Sequence, residues 1–224
     1  MLKTESLVGQ LSILKLTTVA ALITSPEGLP ICAVAACYAG DLDEGERLLK
    51  PLRDFGPPAQ DLFGPMPYTV VQTMLDPAAP PGMRHYWKAD FIGGLTDEGI
   101  DTFVDAANAA RSPVSQIHIH QLGGQMTHPP DGGTAFAHRD APFVFNVLAA
   151  WPDPADDDAN VAWARDTFRR LEPARQGSAY INFLGDDGPE RIQAAYAQNH
   201  GRLVELKRRY DPDNVFRLNQ NIAP

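Results

Sequence analysis

The stretch Phe143-Val144-Phe145-Asn146-Val147-Leu148-Ala149-Ala150-Trp151 reads as a strand, because β-branched and aromatic residues fill it and no charge interrupts it. One polar side chain, Asn146, stands inside the apolar run. A buried amide needs a hydrogen-bond partner, or else it faces a site. Outward from this stretch, Val114 to Gln121 alternates as a second strand, and Arg84 to Ile92 alternates and holds aromatics. Leu11 to Thr24 and Leu29 to Tyr38 are apolar runs joined by Ser25-Pro26-Glu27-Gly28, which is turn chemistry and predicts a hairpin. Ser178 to Leu184 reads as one more strand.

Helical spacing appears between these runs. Asp41 to Phe55 places Leu48, Leu49, Leu52 and Phe55 on one side, with Pro51 predicting a kink or an early end. Thr96 is a good N-cap for a helix carrying Ile100, Phe103, Val104, Ala107 and Ala110. Ala155 to Leu171 carries Val161, Ala164, Phe168 and Leu171 on one face. Pro189 opens a further helix at its first position, and another carries Leu203, Leu206 and Tyr210. Tyr68 to Leu75 suits helix or strand. Strands outnumber simple β-α alternation, so the fold class is α+β: a mostly antiparallel sheet with helices packed on one face.

The chain has 224 residues, 44% hydrophobic and 21% charged, which rules out a disordered or fibrous protein. With 28 acidic and 19 basic residues the net charge is -9, so nucleic acid and anionic membranes are excluded as partners. No apolar run approaches the ~20 residues that span a bilayer. The first residues show no signal peptide, which predicts a cytoplasmic protein. Cys32 and Cys37 are expected to be buried small hydrophobes.

There is no GxGxxG, no P-loop and no GxSxG elbow. Four other features carry candidate chemistry. His118-Ile119-His120 puts two imidazoles on one strand face, a start towards a metal site with His128 or His138. No carboxylate follows at a useful spacing, so no metal is expected. Gln121-Leu122-Gly123-Gly124 ends a strand in paired glycines, which permit close backbone approach or simply turn the chain. In Ala179-Tyr180-Ile181-Asn182-Phe183, strand parity turns Tyr180 and Asn182 outward. Together with Asn146 and Gln121 they are expected to project from one face of a common sheet. The tail Lys207-Arg208-Arg209-Tyr210-Asp211-Pro212-Asp213-Asn214-Val215-Phe216-Arg217-Leu218-Asn219-Gln220-Asn221-Ile222 stops a helix and then carries an Asn-Gln-Asn triplet suited to backbone hydrogen bonding.

That tail resembles the C-terminal signature of the berberine-bridge-enzyme-like FAD-linked oxidases, in the vanillyl-alcohol-oxidase superfamily. Tyr180-Ile181-Asn182 is similar to the family's Tyr-x-Asn strand, Gly123-Gly124 to its Gly-Gly turn, and Thr134-Ala135-Phe136-Ala137-His138-Arg139 to its Thr-Ala-Phe-Pro-His-Arg stretch. Met66-Pro67-Tyr68, Gln72, Asp76 and Tyr86-Trp87-Lys88 fit its substrate domain.

The resemblance implies a substrate-binding domain over residues 1–175 and a berberine-bridge-like segment over 176–224. The sheet's open face would lie toward a flavin domain that these residues do not contain. It implies a FAD-dependent oxidoreductase that oxidises an alcohol or amine by hydride transfer to flavin N5. FAD would be held mainly by that N-terminal domain or by a separate flavin subunit. Tyr180 is then the candidate base. A free phenol titrates near ~10, so it would need a charged or hydrogen-bonding neighbour. Gln121, Asn146 and His120 are candidates to hold a small-molecule substrate, and Asn182, Asn219 and Asn221 to hold the cofactor. Three other readings stay open: a truncated non-catalytic binding or dimerisation domain, a homo-oligomer, and a histidine metal site on the β-scaffold. The isolated chain is expected to bind FAD weakly and to self-associate.

Overall fold

The apolar runs build one antiparallel sheet in the order β2-β1-β4-β5-β3. Its strands are β1 (Leu16–Thr24), β2 (Pro30–Tyr38), β3 (Arg84–Ile92), β4 (Gln116–Gln121) and β5 (Phe143–Trp151). This computed structural model describes residues 15–56, 58–78, 80–130, 133–185 and 187–224; the first residues of the Leu11 to Thr24 expectation lie outside them. The β1–β2 hairpin is in full register from Leu16 opposite Tyr38 to Thr24 opposite Pro30. Its turn is closed by Gly28 in the left-handed region (φ 83°), which glycine adopts without a Cβ penalty.

Parity along β5 decides which side is core. Phe143, Phe145, Val147, Ala149 and Trp151 point to one face and join Ile117, Phe103, Ala106, Trp163, Ala164 and Leu171 in the main core. Two helices supply the rest of that layer: α3 (Asp97–Asn108) and α4 (Asp157–Arg170). The Thr96 cap forms as expected, its Oγ1 accepting from Gly99 N at 3.1 Å. Trp163 Nε1 donates to Ala106 O at 2.9 Å, tying the two helices together under the sheet.

The remaining helices are α1 (Leu42–Asp54), α2 (Tyr68–Thr73), α5 (Pro189–Tyr196) and α6 (His200–Tyr210). Pro51 does not end α1, which runs on to Asp54; a proline there forfeits one backbone hydrogen bond and nothing more is lost at the exposed last turn. Pro189 does open α5.

Two expectations are corrected. Cys32 is exposed and Cys37 half-buried, both as free thiols, because they sit on the edge strand β2 and not in the core. Residues Ser178 to Leu184 do not form a strand. The chain follows the outer edge of β3 only as far as Ser178, with Gln176 N donating to Phe91 O at 2.9 Å and Phe91 N to Ser178 O at 2.8 Å. It then tightens into a 3-10 turn at Ile181–Phe183, closed by Phe183 N to Tyr180 O at 2.8 Å. The period changes from two residues to three. Tyr180 and Phe183 share one side, while Ile181 and Leu184 pack with Ala89, Ala179 and Ala195.

Candidate functional site

The face of the sheet opposite α3 and α4 holds the residues of interest. His118 stands opposite Asn146 and His120 opposite Val144 in the β4–β5 ladder. Across β3–β5, Ala89 pairs with Asn146 and Phe91 with Val144. Directly opposite residues share a face, so His118, His120, Asn146, Val144, Ala89 and Phe91 form one surface. Over part of it lies a cluster of rings. Tyr180 packs at 5.3 Å from Phe183 and 5.9 Å from Phe136, and Phe183 at 5.4 Å from His120. His138 stacks on Phe91 at 4.8 Å and hydrogen-bonds Ser178 Oγ and Ala194 O, each at 2.8 Å. It therefore pins the ring cluster to α5.

The electrostatics of this face are those of neutral, dry imidazoles. Burial, and then the neighbouring His120, lower the His118 pKa to about 4. Burial also holds His120 below its ordinary value. His118 Nε2 is paired with Gln116 Oε1 at 2.7 Å. On this face, among the described residues, the buried atoms His120 Nε2 and Asn146 Oδ1 have no hydrogen-bond partner. An orphaned buried polar atom costs about 1–3 kcal/mol. Two of them on one face, within a diagonal neighbour's reach across a ladder, form a polar notch in an otherwise apolar surface.

The site residues expected from sequence divide. Asn146, His120 and Tyr180 do gather on this side of the sheet. Gln121 does not: it pairs with Phe143, whose side chain is in the helix-covered core, and it accepts a hydrogen bond from Thr18 Oγ1 at 2.8 Å. The error is one of parity, since Gln121 shares its face with Ile117 and Ile119. Asn182 is exposed, and its Nδ2 donates to Tyr180 Oη at 2.8 Å. The common-sheet expectation is thus corrected for Gln121, Tyr180 and Asn182. His118 belongs to the surface and was singled out from sequence only as a metal ligand; the inward parity of Ile117 and Ile119 would have assigned it.

The tail lies beside the 3-10 turn. Gln220 Nε2 donates to Leu184 O at 2.6 Å. Asn219 is exposed in the left-handed region (φ 59°), Asn221 N donates to Asn219 O at 2.9 Å, and Asn221 Oδ1 is buried without a partner. The Asp-Pro-Asp-Asn stop works through one carboxylate. Asp211 accepts from Val215 N at 2.7 Å and Phe216 N at 3.1 Å and pairs with Lys207 Nζ at 2.5 Å. Lys207 and those amides hold the Asp211 carboxyl below the usual carboxylate range. Gly124, after the Gly123 turn, takes a positive φ of 58°.

The sequence and the fold are similar to those of known proteins. Residues 179–223 match the family described as berberine and berberine like. A FAD-linked oxidoreductase of Dictyostelium discoideum is 29% identical over 206 residues, covering 91% of this chain and 44% of that protein. Berberine bridge enzyme-like 17 of Arabidopsis thaliana is 32% identical over 175 residues, covering 70% of this chain and 33% of the relative. Among solved structures, 6-hydroxy-D-nicotine oxidase from Arthrobacter nicotinovorans superposes with a TM-score of 0.79 at 22% identity, covering 98% of this chain and 52% of the other. Physcomitrella patens BBE-like 1 gives 0.78 at 18%, covering 99% and 50%. The chain spans less than half the length of these two curated relatives, and its C-terminal segment, residues 179–223, belongs to the berberine and berberine like family.

Proposed function

We propose that this chain forms the substrate-binding part of a FAD-dependent oxidoreductase acting on an alcohol or an amine, with the reacting oxygen or nitrogen seated over β4 and β5. The observation that carries the reading is the pair of buried, unpartnered atoms His120 Nε2 and Asn146 Oδ1 on the face away from α3 and α4. A primary amine, with two N–H groups, can donate to both, and a hydroxyl, with one proton, donates to one of them at a time.

His120 is the proton acceptor in this reading. Its imidazole is kept neutral by burial, so in the tautomer that leaves Nε2 bare a lone pair is available at neutral pH. A phenol must shed its own proton before it can accept one. Tyr180 therefore takes the second role: its hydroxyl, oriented by Asn182 Nδ2, positions the substrate from above the ring cluster. Asn182, Asn219 and Asn221 are the residues assigned to the cofactor; the orphaned Asn221 Oδ1 beside the 3-10 turn fits a hydrogen-bonding heterocycle. FAD, when bound, supplies the two-electron acceptor for the oxidation. The rings of Phe136, Phe183 and Tyr180 keep water from the notch, which strengthens hydrogen bonds made there.

The test is the rate of flavin reduction by a panel of alcohols and amines in the flavin-loaded protein, by stopped flow. His120→Gln is expected to slow reduction by roughly 10²–10⁴ and Tyr180→Phe by much less. Reduction at the parent rate in His120→Gln would remove His120 from the chemistry; loss only in Tyr180→Phe would transfer the role to Tyr180.

A further inference from the structure

Ala197 is strained. It takes φ 43° with ψ −123°, a conformation that costs a residue with a Cβ and persists only where its surroundings impose it. The other non-glycine residues with positive φ among those described are Asn214 and Asn219, and asparagine tolerates the left-handed region. Ala197 opens the 3-10 turn Ala197–Asn199 that joins α5 to α6. Asn199 ends that turn at the N-cap of α6, where an asparagine side chain ordinarily accepts from a backbone amide of the first turn. Here it makes no cap bond. Its Nδ2 donates instead to Thr134 O at 3.0 Å and to Ala135 O at 3.2 Å.

The loop that this amide grips enters the ring cluster. Thr134 Oγ1 accepts from Phe136 N at 3.3 Å and from Arg139 Nη2 at 2.5 Å, and the Arg139 guanidinium lies 5.4 Å over the Phe136 ring. Phe136 meets Phe91 edge to face at 6.3 Å and Tyr180 at 5.9 Å. His138 fixes the far end of the loop to α5 through Ala194 O. Asn199 fixes the near end, from which the Phe136 ring reaches Tyr180.

We propose that Asn199 is a positioning residue for the substrate: it forgoes helix capping to hold residues 134–136, so that the edge of Phe136 sets the Tyr180 ring and, through it, the hydroxyl over the notch. This rests on the substrate-positioning role given to Tyr180 above. The strained Ala197 and the missing cap are two local costs at one junction, and the pair of bonds to a remote loop is what both serve. Capping and positioning make opposite demands on the side chain. A cap needs an acceptor, so aspartate or serine serves as well as asparagine. The two carbonyls need an N–H₂ donor. A carboxylate repels them, and a serine hydroxyl, one bond shorter, falls out of reach.

Asn199→Asp and Asn199→Ser separate the two roles. In the full chain with ring-labelled Phe and Tyr, nuclear magnetic resonance reads the Phe136–Tyr180 contact, with Phe136→Leu and Tyr180→Phe assigning the two rings. Both Asn199 variants are expected to lose that cross-peak while keeping the circular-dichroism spectrum of the parent. In the flavin-loaded protein, the probe is the alcohol or amine of the panel that reduces the flavin fastest. Its apparent dissociation constant in stopped flow should rise about tenfold in Asn199→Asp while the limiting rate of reduction changes little. An asparagine that serves only the fold moves neither the cross-peak nor this split. A cross-peak retained in both variants would overturn the proposal. So would a parent dissociation constant in Asn199→Asp beside a raised one in Tyr180→Phe. A parent value in both would instead remove Tyr180 from substrate positioning, and Asn199 with it.

Discussion

Asn146 faces His118 across one ladder and Ala89 across the other, so its carboxamide is wedged between an imidazole and a methyl group. His118 spends its Nε2 on Gln116, and the methyl offers nothing. Asn146 Oδ1 is left orphaned at 5% residue exposure. A residue that weakens its own fold is kept for another purpose.

Replacing that amide should therefore not harm the fold. Asn146→Val places a β-branched side chain in β5 and removes the orphaned acceptor, so stability is expected to hold or to rise by about 1 kcal/mol. Calorimetric melting of the chain measures it. A loss above about 1 kcal/mol would make Asn146 a structural residue and undercut its assignment to the substrate.

The histidine pair sets an acid sensitivity. Folding lowers the His118 pKa from 6.5 to about 4, so between those values the unfolded chain binds the extra proton. The contribution is complete above the upper value and declines as the pH falls through the window, by about 3 kcal/mol at most. His120 acts in the same direction. Asp90, whose carboxyl is raised by burial, acts in the opposite one. Asp157 and Asp211, held low by Arg84 and Lys207, lose their contributions only below the usual carboxylate range. Urea midpoints at about pH 7 and about pH 5 should differ, and His118→Gln should shrink the difference. An equal drop in that variant would show that His118 does not carry it.

Sheet, hairpin, caps and core were legible because each rests on local chemistry: Thr96 before Asp97 and Glu98, Gly28 in the hairpin, the odd-numbered apolar residues of β5. The site was legible only in part. Asn146 stood out as the polar exception in an apolar strand. Gln121 was misread because its polarity was weighed above its parity with Ile117 and Ile119. Tyr180 and Asn182 were misread because Ala-Tyr-Ile-Asn-Phe-Leu satisfies a period of two and a period of three equally well. What decides between them is the tertiary anchor: Asp90 takes the Ser178 amide and ends the pairing there, which no local pattern announces.

The chain by itself is expected to hold FAD weakly. A dinucleotide is gripped at its pyrophosphate by a loop of backbone N–H groups at a helix N-terminus, and the sequence has no glycine-rich loop of that kind. Equilibrium dialysis of FAD against the purified chain should show binding no tighter than tens of micromolar. Submicromolar binding would mean that the asparagines assigned here, or others, hold far more of the cofactor than the proposal gives them.

Asp90 should be the least replaceable charge in the molecule. It is fully buried, with Oδ1 accepting from Ser178 N at 3.0 Å and Oδ2 accepting from Arg191 Nη1 at 3.2 Å. Arg175 Nη1 stands 3.7 Å away, and its guanidinium lies 3.9 Å over the Phe168 ring. One carboxylate thus fixes β3, α4, α5 and the start of the segment that carries Tyr180. Deleting it by Asp90→Ala strands two largely buried guanidinium groups, a loss of about 3–5 kcal/mol. Asp90→Asn keeps an acceptor for Ser178 N and should cost less. Because the Ser178 amide holds the turn of the chain, the deletion should also free residues 176–184, and trypsin should cut after Arg175 faster than in the parent. Melting temperatures and a timed digest read both effects. A variant Asp90→Ala that melts within about 1 kcal/mol of the parent would show that the two arginines find water in the folded state and that the carboxylate anchors nothing.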